Sequence, residues 1–131
     1  MSTRCLIGRK IKDNKVEYIY CHHDGYLDGV GEILKTYYTN DSVIDKLMAL
    51  GNLSALGEIA ESNPNQFNFT GKIDYNLCAA YRDNGDEDVD SKIIPEKDYI
   101  DKLNTNIWMA YLYLWDGEKW HYYCENEWRA V

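Results

Sequence analysis

The sequence predicts a single α+β domain over residues 1–131, an antiparallel sheet of about five strands with two helices packed on one face. Three observations predict it. Apolar and polar residues alternate in several short segments, and apolar residues recur at three- and four-residue spacing in two others. Asp-Asn and Asp-Gly pairs stand where alternating segments need tight turns. The chain has 131 residues, 45% of them hydrophobic, so a core forms without disulfides or metal.

Arg4–Lys12 and Lys15–Cys21 read as two strands joined at Asp13-Asn14. A two-residue loop there sets Ile11 opposite Val16, Ile7 opposite Tyr20 and Cys5 opposite His22. One face then carries Cys5, Ile7, Ile11, Val16, Tyr18, Tyr20 and His22, with Arg9 out of character. The other carries Ile19, Cys21 and His23 among charged residues. This register sends Cys5 and Cys21 to opposite sides.

Asp24-Gly25 breaks the strand, and the spacing of Leu27, Val30, Ile33, Leu34, Tyr37 and Tyr38 predicts a helix over residues 26–38. Gly29 and Gly31 predict an irregular first turn or a close approach. Asn40, Asp41 and Ser42 offer N-caps for a second helix that Gly51 closes. Residues 53–57 read as a short turn and 58–68 as a polar connection around Asn63-Pro64-Asn65. Ile73, Tyr75, Leu77, Ala79 and Tyr81 mark a third strand, Asp83–Asp90 an acidic loop, and Pro95–Leu103 a short helix. Ile107–Trp115 and Lys119–Cys124 form the strongest hairpin, turning at Asp116-Gly117, and residues 107–114 are apolar on both faces, as a central strand requires.

Charge narrows the function. Lys and Arg total 14 against 22 for Asp and Glu, a formal net charge of −8. Without a basic cluster to neutralise phosphates, direct nucleic-acid binding is not expected. An acidic chain suits a basic protein surface, or simply solubility. Residues 1–12 lack the apolar run of a signal peptide, and no segment is long enough to span a membrane, which predicts a cytoplasmic protein. Cys5, Cys21, Cys78 and Cys124 form no CxxC pair, so free thiols and no zinc are expected.

Two strand ends concentrate polar chemistry. In Tyr20-Cys21-His22-His23-Asp24-Gly25-Tyr26, His22 and His23 are potential bases or ligands, and Asp24 can orient a histidine or cap the helix. On a strand the two histidines face opposite sides and cannot share one metal without a bulge. In Tyr81-Arg82-Asp83-Asn84-Gly85, Arg82 beside Asp83 suits a phosphate or an ion pair, although Asp-Asn-Gly is also turn chemistry. Asp86, Asp88 and Asp90 fit the start of an EF-hand loop. Ser91 and Lys97, however, stand where Gly and Glu are required, so a solvated turn is expected. The ligand- or partner-binding candidates are Arg4, His22, Asp24, Tyr26, Arg82 and Asp83, with no catalytic set, cofactor or metal. Arg4, His22, Asp24 and Arg82 should gather at one end of the sheet, either around an anion or as an ion pair that pins the helix start.

Several of these pieces resemble an uncharacterised family of small phage- and prophage-encoded proteins. The resemblance rests on Ser2-Thr3-Arg4, Tyr20-Cys21-His22, Asp24-Gly25-Tyr26, Gly31 and Leu34 before Tyr37-Tyr38, Leu50-Gly51, Ser54-Ala55-Leu56-Gly57, and Tyr81-Arg82-Asp83 with Gly85. It covers most of residues 1–90, and His23 stands where that family more often has Trp. The resemblance implies a genomic setting in which small acidic proteins inhibit host defence. Two functions are therefore expected as alternatives. One is a non-enzymatic binding protein that inhibits or sequesters a component of bacterial antiviral defence, like an anti-CRISPR protein or a nucleotide sponge. Its partner would be a host defence protein or a small anionic ligand. The other is a small nucleotide-binding domain or enzyme with a His/Asp/Arg pocket.

Overall fold

A computed structural model describes residues 2–63, 74, 76–105 and 108–131. The strands are β1 (Arg4–Ile11), β2 (Lys15–Cys21), β3 (Leu53–Ala55), β4 (Ile59–Ser62), β5 (Leu77–Ala80), β6 (Lys92–Pro95), β7 (Met109–Trp115), β8 (Trp120–Cys124) and β9 (Glu127–Ala130). The helices are α1 (Glu32–Tyr37), α2 (Asp41–Leu50) and α3 (Glu96–Thr105). A π-helical turn, Leu27–Gly31, precedes α1, and a 3₁₀ turn, Tyr81–Asn84, follows β5.

Helices and strands are both present, but the expected sheet is corrected. All nine strands of the described residues join one mixed sheet, in the order β4-β5-β3-β2-β1-β7-β8-β9, with β6 also on β2. The β1–β7, β2–β3 and β4–β5 pairs are parallel. Hairpins announce themselves through a local turn. A pairing such as β1 with β7, about a hundred residues apart, leaves no local signal. Residues 53–57 and 58–68, read as turn and connection, contain β3 and β4. Strands β6 and β9 were not expected at all. The expected strand positions Ile73, Tyr75 and Ile107, and Pro64-Asn65, lie outside the described residues.

The helices also do not share one face. The π-helical turn, α1 and α2 cover the side carrying Cys5, Ile7, Ile19, Cys21, Tyr113 and Trp115, where Val30, Leu34, Tyr38, Ile44 and Leu47 pack. Helix α3 covers the other side, where Tyr99 packs with Leu6, Val16, Leu112 and Leu114. Strand β7 is thus buried on both faces from Leu112 to Trp115, which is why it is apolar on both.

The first hairpin is corrected by one residue. Cys5 stands opposite Cys21, Ile7 opposite Ile19 and Ile11 opposite Lys15, so Lys12, Asp13 and Asn14 form a three-residue loop. Asp13 and Asn14 both adopt positive φ, 64° and 57°, which these residue types tolerate. Because side chains alternate with period two, the slip moves every residue of β2 to the other face. Ile19 and Cys21 become core, and Glu17 comes opposite Arg9, to which it is paired at 2.7 Å. That pair explains the charge on an otherwise apolar face. Cys5 and Cys21 face each other as buried free thiols, not opposite sides of the sheet; Cys78 and Cys124 are also free.

Helix α2 starts as its caps predict, with the Val43 N–H donating to Asn40 Oδ1 at 3.0 Å. The last hairpin turns one residue later than expected. The Asp116 N–H donates to the Lys119 carbonyl at 3.2 Å, so Gly117-Glu118 are the central residues. The Asp116 carboxylate accepts from the Glu118 and Lys119 N–H groups at 2.8 and 2.9 Å. Gly117 has φ +103° with open space around it. Gly117→Val is therefore expected to destabilise through backbone strain alone, by about 1 kcal/mol or more. Urea unfolding measures this, and an unchanged midpoint would contradict the turn assignment.

Candidate functional site

The corrected register assembles a polar cluster at the open end of the first hairpin. Arg4 precedes Cys5 as His22 follows Cys21, so the two stand across from one another, on the same face as Tyr20. The Tyr20 hydroxyl and His22 Nδ1 share a 2.6 Å hydrogen bond. Below them, the end of β2 is fixed against β3. The Tyr20 N–H donates to Asn52 Oδ1 at 2.9 Å, and the His22 and His23 N–H groups donate to the Leu53 and Ser54 carbonyls at 3.0 Å each.

Strand alternation fails after His22, and the rings of His22 and His23 meet edge to face, with centroids 4.6 Å apart. This corrects their expected separation onto opposite sides. His23 Nδ1 is hydrogen-bonded to Ser2 Oγ at 3.1 Å. The Arg4 guanidinium lies over the Trp108 ring, 5.4 Å from its centroid, in cation–π contact. Tyr81, which follows β5, completes the cluster; it perturbs the Tyr20 hydroxyl, and Arg4 acts on both tyrosines.

Electrostatics fix the protonation states. Burial raises the Tyr20 and Tyr81 hydroxyls, against the pull of Arg4, so both are protonated at neutral pH. Partial burial lowers the His22 pKa, and His23 and Arg4 push it further the same way. A neutral His22 beside a protonated Tyr20 suits donation from the hydroxyl to Nδ1. Since the folded-state value lies below the ordinary 6.5, folding favours the neutral ring. Above the unfolded value the shift contributes nothing, and stability falls as pH drops below it. Wild type should therefore lose more stability than His22→Gln between about pH 7 and pH 5. Parallel loss in both proteins would contradict this placement of His22.

Of the six expected binding residues, Arg4 and His22 come together; the other four do not join them. Asp24 adopts φ 59° and its carbonyl accepts from the Val30 N–H at 2.8 Å. Its carboxylate accepts from the Tyr26 hydroxyl at 3.3 Å. Asp24 thus organises the π-helical turn through its backbone and does not side-chain cap a helix. Tyr26 is 42% exposed beside it.

Arg82 is carried away because β5 runs antiparallel to β3, so the chain leaving Ala80 heads back past Asn52. Its guanidinium donates to the Ala49 carbonyl in the last turn of α2 at 2.8 Å and pairs with Asp90. Asp83 lies exposed in the 3₁₀ turn. Arg82 therefore pins α2 and the acidic loop. Arg82→Ala should lower stability by up to about 1 kcal/mol, since the group is half exposed. Thermal melting measures this, and an unchanged melting temperature would contradict the pin.

Sequence reading missed Tyr20, Tyr81 and Trp108. The correct hairpin register would have placed Tyr20 beside Arg4 and His22; Tyr81 opens the Tyr81-Arg82-Asp83 segment already singled out, and nothing local marks Trp108. Among the described residues Arg9, Arg82 and Arg129 are each paired with a carboxylate, whereas Arg4 lies over the Trp108 ring. A guanidinium, the Tyr81 phenol and the imidazole N–H groups can together donate hydrogen bonds to an anion, and the rings can stack on a planar group. Among the described residues no group of three His, Cys, Asp or Glu side chains is placed to hold a metal, and no helix is long and apolar enough to cross a membrane.

Fold and site together define an α+β protein with one mixed sheet and an aromatic, singly cationic surface patch. Comparison with known proteins gives no match: no family model, no curated protein and no solved structure is similar to the chain.

Proposed function

We propose that the protein is a non-enzymatic binding protein of phage type that inhibits or sequesters a component of bacterial antiviral defence in the host cytoplasm. The observation that carries this reading is the Arg4–Tyr20–His22–Tyr81 patch, with Trp108 62% exposed beside it. Exposed aromatic and Arg side chains are the usual anchors of a binding surface. Among the described residues Arg4 is the arginine that enters no ion pair, which leaves it to meet an anionic group of the target. The residues expected to complete a His/Asp/Arg pocket, Asp24 and Arg82, serve the π-helical turn and α2 instead.

The reading as a nucleotide-binding domain or enzyme keeps one supporting observation, the Tyr20–His22 hydrogen bond beside Arg4. Capture from host lysate on immobilised protein, with mass spectrometry of the protein and small-molecule fractions, separates the readings. A defence protein or signalling nucleotide retained intact by wild type, and lost by Arg4→Ala/His22→Ala at unchanged melting temperature, is the expected result. Turnover of the captured ligand, or retention unaffected by the double substitution, would overturn the binding-protein reading.

A further inference from the structure

The corrected register sets two thiols face to face behind the Arg4 patch, whatever that patch binds. Cys5, the second residue of β1, and Cys21, the last of β2, are direct cross-strand partners, fully buried and free. Cα atoms of directly opposed residues in an antiparallel pair lie about 4.5–5.5 Å apart. A disulfide spans roughly 4.4–6.8 Å between Cα atoms, so the strands need not move to accept one. The two side chains share one face of the sheet, and the Cys5 thiol is hydrogen-bonded to Cys21. The Cys21 thiol in turn donates to the His23 carbonyl at 3.6 Å.

The other cysteines are placed differently. Cys78 lies on β5, separated from β2 by β3, and its sulfur accepts from the Gly57 N–H at 3.2 Å and meets the Tyr38 hydroxyl at 3.6 Å. Cys124 ends β8, separated from β1 by β7.

We propose that Cys5 and Cys21 are a redox site, a dithiol that closes reversibly to a disulfide and ties β1 to β2 one residue from Arg4 and His22. The oxidant is a low-molecular-weight disulfide. One protein thiolate attacks a sulfur of the reagent, forming a mixed disulfide and expelling a small thiolate. The second protein thiol loses its proton and attacks the mixed disulfide, expelling the other small thiolate. Two electrons pass to the reagent, and the two protein protons end on two small thiols. In a reducing compartment the pair stays open, and it closes as the poise becomes oxidising. Access comes from local opening, because both residues stand at strand ends, which fray most readily. Burial pushes the Cys5 thiol up, so closure is slow at neutral pH and quickens as pH rises.

Incubation of the folded protein with oxidised glutathione at mildly alkaline pH, then alkylation in denaturant, trypsin digestion and mass spectrometry, tests the site. The expected result is a disulfide joining peptide 5–9 to peptide 16–35, with Cys78 alkylated. Cys124→Ser, at a half-buried position, should form the same bridge. The oxidised protein should melt at a higher temperature than the reduced one, since the bridge closes the loop between residues 5 and 21, and dithiothreitol should restore the original value. Three results would each overturn the proposal: no 5–9/16–35 linkage unless urea is present, a bridge through Cys78 or Cys124 instead, or a bridged protein that melts lower than the reduced one.

Discussion

Tyr99→Ala is expected to destabilise the protein by roughly 3–5 kcal/mol, the range for truncating a fully buried aromatic residue. Tyr99 is the one fully buried side chain that α3 contributes. It fills the second core between Leu6, Val16, Leu112 and Leu114, and its ring stacks on Trp128 at 6.4 Å. Its hydroxyl donates to the Tyr113 carbonyl at 2.7 Å, a backbone acceptor of the central strand. Truncation both opens a cavity and removes that donor. Tyr99→Phe isolates the hydrogen bond and should cost about 1 kcal/mol. Urea unfolding of both variants reads the two terms. A cost under about 0.5 kcal/mol for Tyr99→Ala, as for a surface residue, would mean that α3 does not cover the sheet.

The second large effect is at Gly25, directly beneath the start of β1. Its N–H donates to the Thr3 carbonyl at 2.8 Å, and its own carbonyl accepts from the Tyr113 hydroxyl at 2.7 Å. A Cβ here would lie 2.8 Å from the Thr3 carbonyl oxygen and 2.9 Å from Cys5 Cβ. Backbone cannot move aside as a flexible side chain can, so Gly25→Ala should cost about 1–3 kcal/mol. It should also displace Arg4, which follows Thr3, and so weaken target capture by the Arg4 patch. Wild-type stability with undiminished capture would contradict this packing.

What was legible in the sequence is what local chemistry encodes. Asn40 and Gly51 bound α2 as predicted, because a cap is written within a few residues of the end it satisfies. The apolar run of β7 marked a strand buried on both faces, although its parallel partner β1 was not visible. The turns were each displaced by one residue. Asp13-Asn14 accommodates positive φ in a three-residue loop as well as in a two-residue one, and Asp116 acts through its side chain while Gly117 carries the strained backbone. A one-residue error matters more in a strand than in a helix. It reversed the facing of Tyr18, Tyr20 and His22, and turned a core face into the patch that gathers around Arg4. Strand ends read from sequence suggest a meeting of Asp24 and Arg82 with Arg4. Their actual partners, Val30, Tyr26, Ala49 and Asp90, are fixed by chain direction after β2 and β5, which no spacing rule conveys.

The register of the first hairpin is therefore the claim on which the candidate site stands, and cross-strand nuclear Overhauser contacts between backbone protons of β1 and β2 test it most directly. The structure predicts contacts pairing Cys5 with Cys21, Ile7 with Ile19 and Arg9 with Glu17. Contacts pairing Cys5 with His22 and Ile7 with Tyr20 would contradict it, because they would turn Tyr20 and His22 away from Arg4 and dissolve the patch.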